Sequence, residues 1–194
     1  MTERPARHVN GQVLISGGRP GLRLEVASEF RFLGRLDIDL PGTDTEAFIF
    51  IDEDRPFARR SLIVQFEARL SRRGKPYHYD FDATLDLGGE RYMHEVRCSN
   101  RSAFLELRGA DSDTAQVAAF CDRVGITVPE ERVHQRIVRL VDDGNAEVLL
   151  IYLEDATISG AKREEIGEGH HSIERWGKLA PGFLKRSAAA FTVL

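Results

Sequence analysis

The chain has 194 residues, 42% of them hydrophobic and 30% charged, close to the averages for a folded soluble domain. The length suits a single domain over residues 1–194 that buries about 70% of the surface its unfolded form exposes, and the composition excludes a disordered tail, a collagen-like chain and a coiled coil. Lys and Arg number 27 against 31 Asp and Glu, a net charge of −4, which argues against a nucleic-acid partner because such proteins carry a basic excess to neutralise phosphates.

The local basic clusters, Arg59-Arg60, Arg72-Arg73 with Lys75, and Lys162-Arg163, lie beside turns with acids nearby and read as solvated loops. Cys98 and Cys121 form no CxxC pair, so neither a zinc ribbon nor a thioredoxin-type motif is present and each reads as a buried free thiol. No run approaches the roughly 18 apolar residues of a membrane helix. The opening Met-Thr-Glu-Arg-Pro-Ala-Arg-His has charge but no apolar stretch after it, so it is no signal peptide and a cytoplasmic location is expected. An exported chain already trimmed of its leader would read the same way.

The dominant pattern is period two. Val13 to Ile15 is a short apolar run, broken by Ser16 to Gly21. Leu22, Leu24 and Val26 alternate with Arg23 and Glu25, and Phe30 to Leu40 alternates with Arg31, Arg35, Asp37 and Asp39; both predict half-buried strands. Gly34 interrupts the second and predicts a bend or bulge. Ala47–Ile51 and Leu62–Leu70 follow as strands, then Tyr77–Leu87 and Glu90–Ser99 around Gly88-Gly89, a pair of glycines that predicts a tight hairpin. Ala103–Leu107 reads as a further strand. Ser112 and Asp113 offer a cap for a helix over Ala115–Val124, stopped by Gly125. Arg132–Val141 suits a strand or a helix, but Asp142-Asp143-Gly144-Asn145 is turn chemistry and Glu147–Leu153 a clear strand, so a hairpin is favoured. Thr157–Gly169 reads as a loop, Pro181–Ala190 as a short helix with proline in its first turn, and Phe191–Leu194 as a returning strand.

Roughly eight to ten short strands and about two helices in the C-terminal half, in hairpin order, predict an α+β protein that is mainly antiparallel. Such a curved sheet closes as a barrel or packs as a two-sheet sandwich. The lack of strand–helix–strand alternation excludes Rossmann and TIM architectures.

The glycine hairpin fixes a register. With Leu87 opposite Glu90, Asp86 meets Arg91 and Ala83 meets His94. Continued outward, one face holds His78, Asp80, Asp82, Thr84 and Asp86 against Arg91, Met93, Glu95 and Arg97, and the other Tyr79, Phe81, Ala83, Leu85 and Leu87 against Tyr92, His94, Val96 and Cys98. The second is expected to be core or the lining of a cavity. His94 on that face is either a core imidazole held by a hydrogen bond or a group that orients a ligand or moves a proton. Tyr79, Tyr92, Phe81 and Tyr152 are the other cavity candidates, since a tyrosine offers an apolar body with a polar tip.

No metal site is expected. His78, Asp80 and Asp82 stand on one strand about 7 Å apart per step, too far for one ion, and His170-His171 with Glu174 fits neither HExxH nor its inverse. Ser16–Gly21 lacks the Lys-Ser/Thr of a phosphate loop, no Gly-x-Ser-x-Gly elbow occurs, and Asp52-Glu53-Asp54 lacks the rest of an EF-hand. Asn100-Arg101-Ser102 fits a glycosylation tripeptide by chance. No cofactor is indicated. The inner-face aromatics Phe30, Phe32, Phe48, Phe50, Phe66, Tyr79, Phe81 and Tyr92 make a binding module for a small, mostly apolar ligand the first functional expectation. A homodimeric interaction protein joined through a sheet edge or the C-terminal segment is the second, and an enzyme using His94 as acid or base the third.

Overall fold

The computed structural model describes residues 6–54, 56–81, 83–160 and 173–194. Four strands, β1 (Arg7–Asn10), β2 (Val13–Ser16), β3 (Leu22–Val26) and β11 (Phe191–Val193), form a small antiparallel sheet in the order β1-β2-β3-β11. Seven more, β4 (Arg31–Ile38), β5 (Thr43–Asp54), β6 (Phe57–Arg69), β7 (Ala83–Leu87), β8 (Glu90–Asn100), β9 (Glu131–Val141) and β10 (Ala146–Asp155), form a second in the order β4-β5-β6-β10-β9-β8-β7. Three α-helices, α1 (Arg101–Arg108), α2 (Asp113–Arg123) and α3 (Ile173–Ala189), and two short 3-10 turns, Asp142–Gly144 and Ala156–Ser159, complete the described elements.

The large sheet is the middle layer. Alternation sends Phe48 and Phe50 of β5, Leu62, Val64 and Phe66 of β6 and Val148, Leu150 and Tyr152 of β10 to one face. There they are buried against Leu14, Leu22 and Leu24 of the small sheet and Phe183 of α3. The opposite face carries Ile49, Ile51 and Ile63, buried in a second cluster with Phe120, Cys121 and Val117 of α2 and with Ile126 and Val128. This double cover explains why 47–51 and 148–153 are nearly continuous apolar runs, since a strand buried on both faces has no solvent side.

The sandwich alternative stands, and the barrel does not: the large sheet stays open, with β4 and β7 at its two edges. The hairpin register is as expected, Leu87↔Glu90 through Ala83↔His94. Gly34 lies at a bulge, where the β4–β5 register shifts between Phe32 and Gly34. Arg132–Val141 is strand, and the turn after it takes Asp142, Asp143 and Gly144 through positive φ.

Three elements differ from expectation. Ala103–Leu107 belongs to helix α1, because the Asn100 side chain accepts from the Ala103 N–H at 2.9 Å and Gly109 at φ +84° ends the helix; an Asn cap and a closing glycine are helix signals that outweigh a short apolar run. The C-terminal helix starts at Ile173, so Pro181 lies inside it. Pro181 and Gly177 are both exposed, and the carbonyl that proline leaves unbonded meets water. Strand β7 begins only at Ala83. Tyr77 donates its N–H to the Gly144 carbonyl (2.8 Å) and its hydroxyl to Glu67 (2.7 Å), while Tyr79 donates to Glu147 (2.9 Å). Glu67 and Glu147 are paired neighbours on the helix-covered face, so residues 77–81 cross that face instead of prolonging the edge.

Candidate functional site

The crossing separates the sequence-derived cavity candidates. Tyr92, His94 and Tyr152 point to the sandwich core, whereas Tyr79 and Phe81 lie on the opposite face, their rings 5.1 Å apart under the Arg136 guanidinium. Tyr152 is fully buried, packs 5.6 Å from Phe183 and donates to Glu154 at 2.9 Å. Tyr92 is equally buried, lies 5.5 Å from the Arg139 guanidinium, and its hydroxyl has no hydrogen-bond partner among the described residues. Desolvation raises the pKa of both phenols. His94 is half-buried, shares a hydrogen bond of 3.0 Å with the Gln135 amide, and is pushed by burial below its ordinary pKa. His78 pairs with Asp80 at 2.8 Å on the surface. His170 and His171 lie outside the described residues. No group of three or more His, Cys, Asp or Glu side chains placed to hold a metal occurs among those described.

The cavity is elsewhere. A space of about 180 Å³ lies between the large sheet and the layer made by α1, α2 and residues 128–129. None of the five candidates lines it. Strand register sets its floor. Across β5, β6, β10, β9 and β8 the rows facing it read Ile51, Ser61, Leu153, His134, Arg97 and then Ile49, Ile63, Ile151, Arg136, Glu95. The floor is therefore aliphatic under β5, β6 and β10 and charged under β9 and β8. Phe104 and Arg108 of α1 and Val117, Ala118 and Cys121 of α2 close it from above. Helix α2 sits there because Ser112 caps it, accepting from the Ala115 N–H at 3.2 Å, and because Gly34 lets the Phe120 ring reach the β4 backbone.

Most charges on the polar half are already matched. Glu95 accepts from Arg136 (3.0 Å) and Arg97 (2.7 Å), and Arg108 pairs with Asp113 at 3.3 Å. Arg132 differs. It is 8% exposed, and among the described residues it has no carboxylate within ion-pair distance; its hydrogen bond is from Nε to Ser99 Oγ, at 3.4 Å. Burial, reinforced by nearby Arg101, lowers its pKa to about 10, so it remains a cation at neutral pH. Ser99 Oγ also stands 3.4 Å from His134 Nδ1. Since Arg132 can only donate, the Ser99 hydroxyl proton is free for Nδ1, which leaves the neutral imidazole with its proton on Nε2. Burial first, and the fields of Arg132, Arg136 and Arg97 next, push His134 down to about 3, so this ring adds no charge. Cys121, held at about 11 by burial and by Asp122, stays a thiol. Cys121 as a thiol and His134 as a neutral ring do not form an activated nucleophile with its base.

Sequence reasoning missed Arg132, His134 and Arg136 because a polar residue at every second position reads as a solvent face. The signal that could have found them was next door: the unbroken apolar run of β10 shows that both faces of the sheet are covered, so a charged stripe on its neighbour β9 must face a cover too. Comparisons with protein families, with curated proteins and with solved structures found no match.

Proposed function

We propose that the protein is a binding module for a small, mostly apolar molecule, held between the large sheet and helices α1 and α2. The observation that carries this reading is the cavity itself: about 180 Å³ over an aliphatic floor of Ile49, Ile51, Ile63, Ile151 and Leu153. An apolar cavity of about 150 Å³ takes up benzene, so this space of about 180 Å³ has room to enclose a group somewhat larger than benzene.

The test is a native mass spectrum of the purified protein beside its denatured mass, with wild type and Ala118→Leu compared. Ala118 lines the cavity from α2, and the larger side chain occupies its volume while keeping helix propensity. The expected result is an organic mass on the wild type, lost on denaturation and absent from the variant, with the melting temperature of the variant unchanged or raised. A wild-type protein that stays bare after exposure to octan-1-ol at millimolar concentration overturns the reading, and a bare dimer in that experiment favours the homodimeric alternative.

A further inference from the structure

We propose that the ligand is a small amphipathic carboxylate, its head group on the Arg132 guanidinium and its apolar part over Leu153, Ile151 and Ile63. This rests on the binding-module reading and adds the chemical class of the ligand. Three observations meet. Arg132 is nine-tenths buried, lines the cavity, and has neither a carboxylate partner nor a hydrogen bond to its terminal nitrogens among the described residues. A buried cation left in that state is costly unless something pairs with it. Its planar fork presents parallel donors at the spacing of carboxylate oxygens. His134, two residues along the same strand and held by Ser99, contributes a neutral N–H donor and no second charge.

The charge balance selects a monoanion. Arg136 and Arg97 share Glu95, and Arg108 has Asp113. Arg59 is exposed. Arg132 is left with the more distant attraction of Glu130, which also faces Arg101, and with no carboxylate within ion-pair distance among the described residues, so its charge is only partly matched. A phosphate dianion would bring an excess negative charge into a space that holds Glu95 and Asp113 as well. The dimensions call for an elongated molecule: the row of Ile151, Ile63 and Ile49 pairs with Arg136, four residues or about 13 Å along β9 from Arg132, and β6 lies two strand spacings, about 10 Å, across the sheet, with Leu153 of the adjacent β10 between them. Octanoate carries this charge at the end of an elongated apolar tail.

The experiment is calorimetric titration of the full chain with octanoate, octan-1-ol and octylamine, which share a tail and differ in the head group, followed by octanoate titration of Arg132→Met and Arg132→Lys. Expected for the wild type is octanoate tightest, octanol weaker by about ten- to 100-fold, the range for a hydrogen-bonded charge, and octylamine weakest. Arg132→Met should bring octanoate down to the octanol value and leave octanol unchanged. Arg132→Lys should fall between, because it keeps the charge and loses the fork. Equal binding of octanoate and octanol by the wild type overturns the carboxylate assignment and leaves the binding module standing. Inorganic phosphate that competes with octanoate at equal concentration also overturns it. Binding of none of the three tails at millimolar concentration overturns both readings. If Arg132→Met does not fold, the wild-type ranking of the three probes still decides.

Discussion

Glu147 should make the protein less stable as pH rises from about 4.5 to about 7. The residue is 2% exposed, its Oε1 accepts from the Tyr79 hydroxyl at 2.9 Å, and its Oε2 has no partner among the described residues. Burial lifts its pKa from 4.5 to about 7; the Tyr79 hydrogen bond opposes this, and Glu67 on the paired strand adds to it. A carboxyl with a raised native pKa binds its proton more tightly folded than unfolded. Below about pH 4.5 both states are protonated, and above about pH 7 neither is, so stability falls across that window and levels off beyond it. At about 1.4 kcal/mol for each tenfold change in proton affinity the loss is about 3 kcal/mol. For a chain of this size that corresponds to a melting temperature about 6–12 °C lower. Glu147→Gln removes the titration and retains an oxygen for Tyr79. Urea denaturation of wild type and variant between pH 4.5 and 8.5 should show the variant gaining on the wild type by about 3 kcal/mol at the alkaline end. Parallel pH profiles for the two proteins would refute the argument that desolvation dominates at this carboxyl.

Two further perturbations test the packing on the two faces of the large sheet. Gly34→Ala places a Cβ 2.8 Å from Phe120 Cζ and should cost about 1–3 kcal/mol as overpacking; in a Phe120→Leu background the cost should shrink, and an additive double-mutant cycle in urea denaturation would show that the contact is not responsible. Arg186→Met leaves Glu154, whose side chain is fully buried, without the Nε (2.9 Å) and Nη2 (2.6 Å) bonds that neutralise it. The expected cost is about 3 kcal/mol, mostly recovered when Glu154→Gln is added, and a double variant no more stable than the single would contradict it.

Much of this architecture is written in local pattern. Alternation over 22–26, 31–38 and 62–69, the Gly88-Gly89 turn with its register, the bulge at Gly34 and the capped helix at 113–123 follow from residues within a turn or two of each other. Periodicity specifies which side chains share a face, but not what covers that face. Closure is therefore not legible: whether the edge strands meet depends on twist and on partners distant in sequence, and here β4 and β7 remain apart. The same holds for residues 77–81, whose alternation suits the edge strand until the hydroxyls of Tyr77 and Tyr79 find Glu67 and Glu147 from strands about 10 and 68 positions away. It holds most of all for the cavity. Arg132, His134 and Arg136 are an ordinary polar stripe until α1 and α2 fold over them, and only then does an exposed-looking arginine become a buried charge.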